Sequence, residues 1–282
     1  MPTTRPPGPD KRYGQHFLTD LRVVDKTVNL LDLSSCSCIV EIGPGRGALT
    51  KKLLKLGKPV IAVETDARLA GFLRELFGSD LKLYERDILK VSADTLLGLK
   101  PGGRPPRKRA VLIGNLPYNL SGPILGWIFD SAKYWSQAVL TLQLEVVRRL
   151  VARPESRDFG PLAVACALHF TAAKKHIIRP GAFFPPPRVQ SAIVDLRRNL
   201  SPPIRPKDSD HFMKFVHVLF GHRRKNMRNN IKLNSKLDDD TLNRVFNHAG
   251  VDGRDRAEQL TWDMLSQLYR AFLPYDRNRD TG

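Results

Sequence analysis

Short apolar runs that alternate with amphipathic stretches constrain this chain more than any other feature. "IVEI" (39–42), "VIAVE" (60–64), "LKLYE" (81–85), "AVLIG" (110–114) and "AVLTLQ" (138–143) read as strands buried within a sheet. Between the first two, Leu49, Leu53 and Leu56 recur at i, i+4 and i+7, the stripe of a helix packing on that sheet. Gly57 suits the helix's C-terminal cap. Repeated units of this length predict an α/β architecture: a doubly wound, mainly parallel sheet with helices on both faces. Two later runs, "HIIRP" (176–180) and "QSAIVDLRR" (190–198), flank "GAFFPPPR" and are expected as an antiparallel pair that finishes the sheet.

"NLSPPIRPKDSD" (199–210) is polar, Pro-rich and aperiodic, so it reads as a linker. Beyond it strand-like runs stop. Leu265, Leu268, Tyr269 and Phe272 mark an amphipathic last helix, with two or three more helices expected over 211–249. The chain therefore divides into a sheet domain, 1–200, and a small all-helical domain, 201–282. "PGGRPPRKR" (101–109) is expected as an exposed basic loop between the third and fourth strands.

Charge narrows the partner. The 46 Lys and Arg against 28 Asp and Glu leave a net +18, which predicts attraction to a polyanion, nucleic acid first. Cys36, Cys38 and Cys166 cannot pair completely, none has metal-ligand spacing, and the seven histidines are scattered, so no metal is expected. No apolar run reaches the ~20 residues of a membrane span. "MPTTRPPGPDKR" at the N-terminus lacks the apolar core of a secretory signal, so a cytoplasmic protein is expected.

"EIGPGRG" (41–47) sits at the first strand-to-helix turn, on the edge where open α/β sheets bind ligands. Gly43, Gly45 and Gly47 let the backbone approach a ligand closely. Glu64 ends the second strand, where a carboxylate can accept bonds from both hydroxyls of a ribose. Asp87 ends the third, where it can accept from an adenine amino group. One glycine turn is weak evidence, but three such features at successive strand ends point to an adenosine ligand, either a dinucleotide or S-adenosylmethionine. The GxGxG spacing with Glu41 before it is more typical of methyltransferases, and nothing downstream suits a nicotinamide. The fourth strand opens into "NLPYNLSGPIL" (115–125), which carries more chemistry than a turn requires.

The motifs "GQHFL" (14–18), "EIGPGRG", "ETD" (64–66), "RDIL" (86–89), "NLPYNLSGPIL", "FFPPPRVQSAIV" (183–194) and "FGHRRKNMRNNI" (220–231) occur in this order. From about residue 11 to 273 the chain resembles the ribosomal RNA adenine N6,N6-dimethyltransferases, in particular their small-subunit branch. The resemblance implies a Rossmann-like class I S-adenosylmethionine-dependent methyltransferase fold with a helical C-terminal domain. It also implies a monomeric enzyme that dimethylates two adjacent adenosines in a hairpin loop near the 3′ end of small-subunit rRNA, within a pre-ribosomal particle. Positions matching His16, Leu18, Gly43, Gly45, Glu64, Asp87, Ile88 and Asn115 line the family's cofactor pocket, and the aromatic matching Phe183 lies near the target base. His16 stands where the family usually has Asn, and Gly122 where Thr is common.

The chemistry gives NLPY its meaning. Adenine's exocyclic nitrogen is a poor nucleophile because its lone pair is delocalised into the ring. The Asn115 side-chain oxygen and the Leu116 carbonyl can accept its two N–H groups and favour a tetrahedral geometry. Pro117 fixes the backbone, and Tyr118 offers a face for an extruded base. Arg223, Arg224, Lys225 and Arg228 suit RNA phosphates. An antibiotic-resistance methyltransferase of large-subunit rRNA shares this fold and chemistry, but the helical tail and triple proline favour the small-subunit enzyme. A non-catalytic RNA-binding factor would not need Glu64, Asp87 and NLPY intact.

Overall fold

The computed structural model describes residues 6–205, 208–235 and 237–276. Its strands are β1 (Phe17–Leu18), β2 (Ile39–Ile42), β3 (Val60–Glu64), β4 (Lys82–Glu85), β5 (Ala110–Asn115), β6 (Trp135–Gln143), β7 (Phe170–Ile178), β8 (Phe183–Phe184) and β9 (Ser191–Arg198). Seven form one sheet in the order β4-β3-β2-β5-β6-β9-β7. β2 to β6 run parallel, and β9 is antiparallel to β6, with Gln143 opposite Ser191 and Gln137 opposite Arg197. The expected strands all appear. The reason is burial: β2, β3 and most of β5 and β6 are shielded along their length, so the sequence must be apolar on consecutive residues. β4 differs: it is the edge strand and, unlike the buried strand expected over 81–85, none of its four residues is buried.

The order reverses direction at β2, between β3 and β5, which makes the C-terminal edge there the ligand-binding crevice of such a sheet. Helices Ala67–Phe77 and Ser121–Asp130 leave β3 and β5 at that edge. Asp66 caps the first of these by accepting from Arg68 N. β2 and β5 approach so closely that a Cβ on Gly114 would lie 2.6 Å from Ile42 O, so only glycine fits one residue before Asn115. The helix after β2 is shorter than its leucine stripe suggests. It spans Thr50–Leu53, tightens to a 3-10 turn over Leu54–Leu56, and ends at Gly57 with φ 67°. Leu49 and Leu53 are buried but Leu56 is exposed.

The sequence reading missed the two-residue strands β1 and β8, which pair Phe17 with Phe184 and Leu18 with Phe183. Thr19 N and Asp20 N both donate to Ala182 O, which extends this clasp. It brings "GQHFL" beside "FFPPP", and the Phe184–Pro185 peptide is cis.

The chain divides into two compact units, one of 1–147 with 171–198, the other of 148–170 with 199–282. A single cut between 200 and 201 therefore leaves 148–170 on the wrong side. The helix Pro161–His169 belongs to the helical unit, where Phe159, Ala163 and Val164 join Phe212, Leu242 and Leu268 in the core. Helices Ser209–Leu219, Met227–Asn234, Asp239–Ala249 and Trp262–Asp276 complete that unit. Leu265, Leu268, Tyr269 and Phe272 are all buried, as their spacing requires. Among the described residues no helix is long and apolar enough to cross a membrane.

Candidate active site

A cleft opens at the C-terminal ends of β2, β3, β4 and β5, the edge where open α/β sheets bind ligands. His16, Gly43, Gly45, Glu64, Asp87 and Ile88 line it, and so do Asn115, Leu116, Pro117 and Tyr118. The structure thus gathers most of the expected site from five separate stretches of chain. Two expected residues stand apart. The Leu18 and Phe183 side chains lie in the hydrophobic core, 6% and 3% exposed, and neither lines the cleft. Strand alternation sends their neighbours the other way: Phe17 lines the cleft and Phe184 is half exposed. The Arg46 guanidinium lies 4.5 Å from the Phe17 ring and 5.7 Å from that of Phe184.

Glu64 is buried, and each of its carboxylate oxygens already has one backbone partner. Gly45 N donates to Oε2 at 3.1 Å and Asp66 N to Oε1 at 3.0 Å. Each oxygen keeps a lone pair for a further donor, which suits the two hydroxyls of a ribose. Gly45 needs its φ of 58°, and a Cβ there would press on the Phe17 ring at 3.1 Å. Asp87 Oδ1 accepts from Leu89 N at 3.0 Å, leaving Oδ2 for an amino group. Ile42, Val63, Leu69 and Ile88 supply apolar wall for a purine. These donors, acceptors and walls fit an adenosine ligand, and the described residues contain no group of three His, Cys, Asp or Glu suited to a metal.

Gln15 escaped notice in the sequence, although it stands inside "GQHFL". Its Oε1 accepts from Asp10 N at 2.8 Å and its Nε2 donates to Asp66 Oδ2 at 3.0 Å, fastening the N-terminal segment over the end of β3. Two adjacent polar contacts made by one amide leave no periodic signal.

The NLPY segment is held tightly. Asn115 Nδ2 donates to His16 O at 2.8 Å, while Asn115 Oδ1 is buried with no donor from the described residues. One end of the amide is tied and the other is an unused acceptor. Leu116 N donates to Thr141 O at 3.1 Å, and Pro117 has φ −61°. The contact that orients Asn115 uses the His16 backbone, so it does not depend on which side chain stands there. The His16 ring stacks on Tyr118 at 5.2 Å and 26°. Its Nδ1 lies 2.7 Å from Pro185 O. A carbonyl only accepts, so Nδ1 carries the proton and Nε2 is the acceptor nitrogen.

Tyr118 OH lies 2.5 Å from Ser191 Oγ, and burial pushes the phenol's pKa up. From the sequence, Tyr118→Phe should cost little, because stacking uses the ring. That expectation concerns turnover and RNA binding; the structure adds a cost in stability, because removing the hydroxyl strands Ser191, which is fully buried, at about 1–3 kcal/mol. Tyr118→Phe should lower the unfolding midpoint measured in denaturant, and adding Ser191→Ala should restore part of the loss. No recovery in the double variant would show that the pair is not coupled.

Glu41 is fully buried in β2. Thr50 Oγ1 donates to its Oε2 at 2.7 Å, whereas Oε1 meets no donor among the described residues. Burial, reinforced by the Glu64 charge, pushes its pKa up to about 7. The unfolded chain ionises this carboxyl near 4.5 while the folded one holds its proton to about 7. Stability is therefore lost as pH rises through that window, by about 3 kcal/mol in all. Glu41→Gln should be more stable than the parent at pH 8 and not at pH 4, by denaturant titration. Equal gains at both pH values would contradict this.

The basic motif of the helical unit divides into parts. Arg224 and Lys225 are exposed in the turn before Met227–Asn234. Arg223, also exposed, donates Nη2 to Arg157 O at 2.6 Å. Arg228 instead pairs with Asp239 at 3.1 Å, donates to Asn243 and lies 6.0 Å from the Phe246 ring. It joins two helices rather than standing free for phosphate.

Comparison with known proteins agrees with this geometry. The chain matches the profile of the ribosomal RNA adenine dimethylase family over residues 9–272. It is 40% identical over 252 residues to the ribosomal RNA small subunit methyltransferase A of Alcanivorax borkumensis, covering 89% of this chain and 85% of that one. The protein of the same name from Magnetococcus marinus is 38% identical, covering 94% and 92%. A dimethyladenosine transferase from Plasmodium falciparum superposes with a TM-score of 0.74 at 23% identity, covering 93% and 98%. The 23S rRNA methyltransferase ErmE gives 0.65 at 23% identity, covering 90% and 98%. The two solved structures establish the Rossmann-like methyltransferase fold, and the sequence matches establish the kinship: the chain belongs to the ribosomal RNA adenine dimethylase family.

Proposed function

We propose that this protein dimethylates N6 of two adjacent adenosines in a 3′-terminal hairpin loop of small-subunit rRNA, with S-adenosylmethionine as cofactor. The observation that carries the reading is Asn115: a residue of the cleft lining whose amide nitrogen is tied to His16 O and whose buried oxygen is an unused acceptor. The sequence relatives named for the small subunit favour that substrate over the large subunit. Gly43, Gly45, Glu64, Asp87 and Ile88 hold the cofactor, which when bound supplies a methyl group already activated on a sulfonium. Asn115 Oδ1 and the Leu116 carbonyl accept the target amine's N–H groups and turn its lone pair out of conjugation with the ring. Tyr118, backed by His16 on one face, leaves its other face for the extruded base. No strong general base is required, because the nitrogen sheds its proton readily once it is quaternised. Catalysis is then alignment and dipole placement.

Arg223, Arg224 and Lys225 supply phosphate contacts from the helical unit, and the protein acts as a cytoplasmic monomer on a pre-ribosomal particle. Mapping methylated adenosines in rRNA from cells with and without the gene tests the reading. Loss of the paired dimethyladenosines of the small subunit is expected. Their persistence alongside a lost large-subunit mark would move the substrate to the other subunit.

A further inference from the structure

The parallel strands end at the cleft, so the segments that lead into them lie on the opposite edge of the sheet. Three cations gather there on the short turn Ala132–Tyr134 before β6. Arg109, the residue before β5, donates Nε to Lys133 O at 3.0 Å. Arg198, the last residue of β9, donates Nη1 to Ala132 O at 3.0 Å. Because β9 opposes β6, with Arg197 facing Gln137, its last residue belongs to this same edge. The Lys133 ammonium is exposed, 4.9 Å from the Tyr134 ring.

Backbone carbonyls therefore hold two guanidiniums on the same short turn that carries Lys133. Among the described residues no carboxylate forms an ion pair with any of the three. The neighbouring Arg197 shows the contrast, since it pairs with both Asp195 and Asp32. Arg198 Nε is buried and meets no acceptor. Burial, and after it the charge of Arg109, pulls the Arg198 pKa down, so the two cations lie close enough to repel. Arg104, Arg107 and Lys108 add exposed charge from the 101–109 loop. That loop is fastened at its base, where Gly102 N donates to Asp94 Oδ2 at 3.0 Å. A solvated charge run explains the loop alone. It does not explain paired guanidiniums anchored together without an acid between them.

We propose that this far edge is a second RNA-contact surface, a phosphate-binding site centred on Arg109, Lys133 and Arg198 and extended by Arg104, Arg107 and Lys108. The proposal rests on the rRNA substrate inferred above and adds a second point of contact. The guanidinium fork suits phosphate oxygens. Tyr134 is buried, so it offers no face for a base, and the contact is to backbone rather than to sequence. The six residues of β5 span about 20 Å between this edge and the cleft. The RNA bound here is therefore a different segment from the one presenting the target adenine.

The test combines Arg107→Gln, Lys108→Gln and Lys133→Gln, three exposed side chains that donate no hydrogen bond in the fold. Binding to naked small-subunit rRNA and to isolated small-subunit particles is measured from about 50 to 200 mM salt. The variant's log–log slope should be shallower by about 2–3, since each phosphate contact contributes roughly 0.7–0.9. Its Kd at the low-salt end should rise at least about tenfold, while S-adenosylmethionine affinity by calorimetry stays unchanged. Wild-type slope and Kd on both targets would overturn the proposal. Weakened binding to particles with wild-type binding to naked RNA would assign the edge to a protein partner and overturn it equally. The comparison reads binding alone, so it decides the surface even if the wild-type protein failed to methylate the particle. That failure would sink the functional reading separately.

Discussion

Asn115→Ala is expected to lose turnover by about a hundred- to a thousandfold, the usual effect of deleting one preorganised dipole at a reacting centre. Affinity for RNA should change little, because the bond to the amine gains most of its strength as the nitrogen leaves conjugation. The geometry sharpens this expectation. Asn115 Nδ2 is committed to His16 O, so the amide is held in one orientation with its oxygen left as an unused acceptor. Asn115→Asp keeps an acceptor but sets a carboxylate against the His16 carbonyl, so it too should be slow. Single-turnover rates beside RNA binding curves separate these effects. Parallel losses in both would make Asn115 a binding residue instead.

Glu64→Ala should weaken S-adenosylmethionine binding by about 2–3 kcal/mol, the worth of charge-assisted hydrogen bonds lost with the carboxylate. That corresponds to roughly 30- to 150-fold in Kd. Glu64 also accepts from Gly45 N and Asp66 N, so alanine would loosen the glycine turn as well. Glu64→Gln keeps one acceptor and should fall between the two. Burial raises the Glu64 pKa. Ligand hydroxyls favour its ionised form, so affinity should weaken as pH falls, starting above the ordinary carboxylate range. Calorimetry showing unchanged affinity in Glu64→Ala would remove this residue from the cofactor site.

The parts of the fold legible in the sequence are those where burial dictates residue type. β2, β3 and β5 are apolar on consecutive residues because both faces of the sheet are covered. Glu64, Asp87 and Asn115 stand out because polar residues end such runs at the binding edge. Tertiary pairing was not legible. β1 and β8 have two residues each and exist through each other. "FF" announces two aromatics but not which one enters the core, and Phe183 does. "PLAVACALH" is apolar on all sides, a pattern equally suited to packing on a sheet or among helices, so the excursion over 148–170 left no mark. Arg228 looks identical to its basic neighbours until Asp239 and Asn243 are found beside it.

If the NLPY segment positions adenine N6 of small-subunit rRNA for methyl transfer from S-adenosylmethionine, Asn115 decides whether the particle is modified. Isolated, undermethylated small-subunit particles are incubated with S-adenosylmethionine and the purified protein, and the 3′-terminal rRNA fragment is mapped by mass spectrometry. Two adjacent adenosines should each gain two methyl groups with the wild-type protein, and none should accumulate on the same timescale with Asn115→Ala. An unmodified fragment with wild type, or equal modification by the variant, would contradict the account.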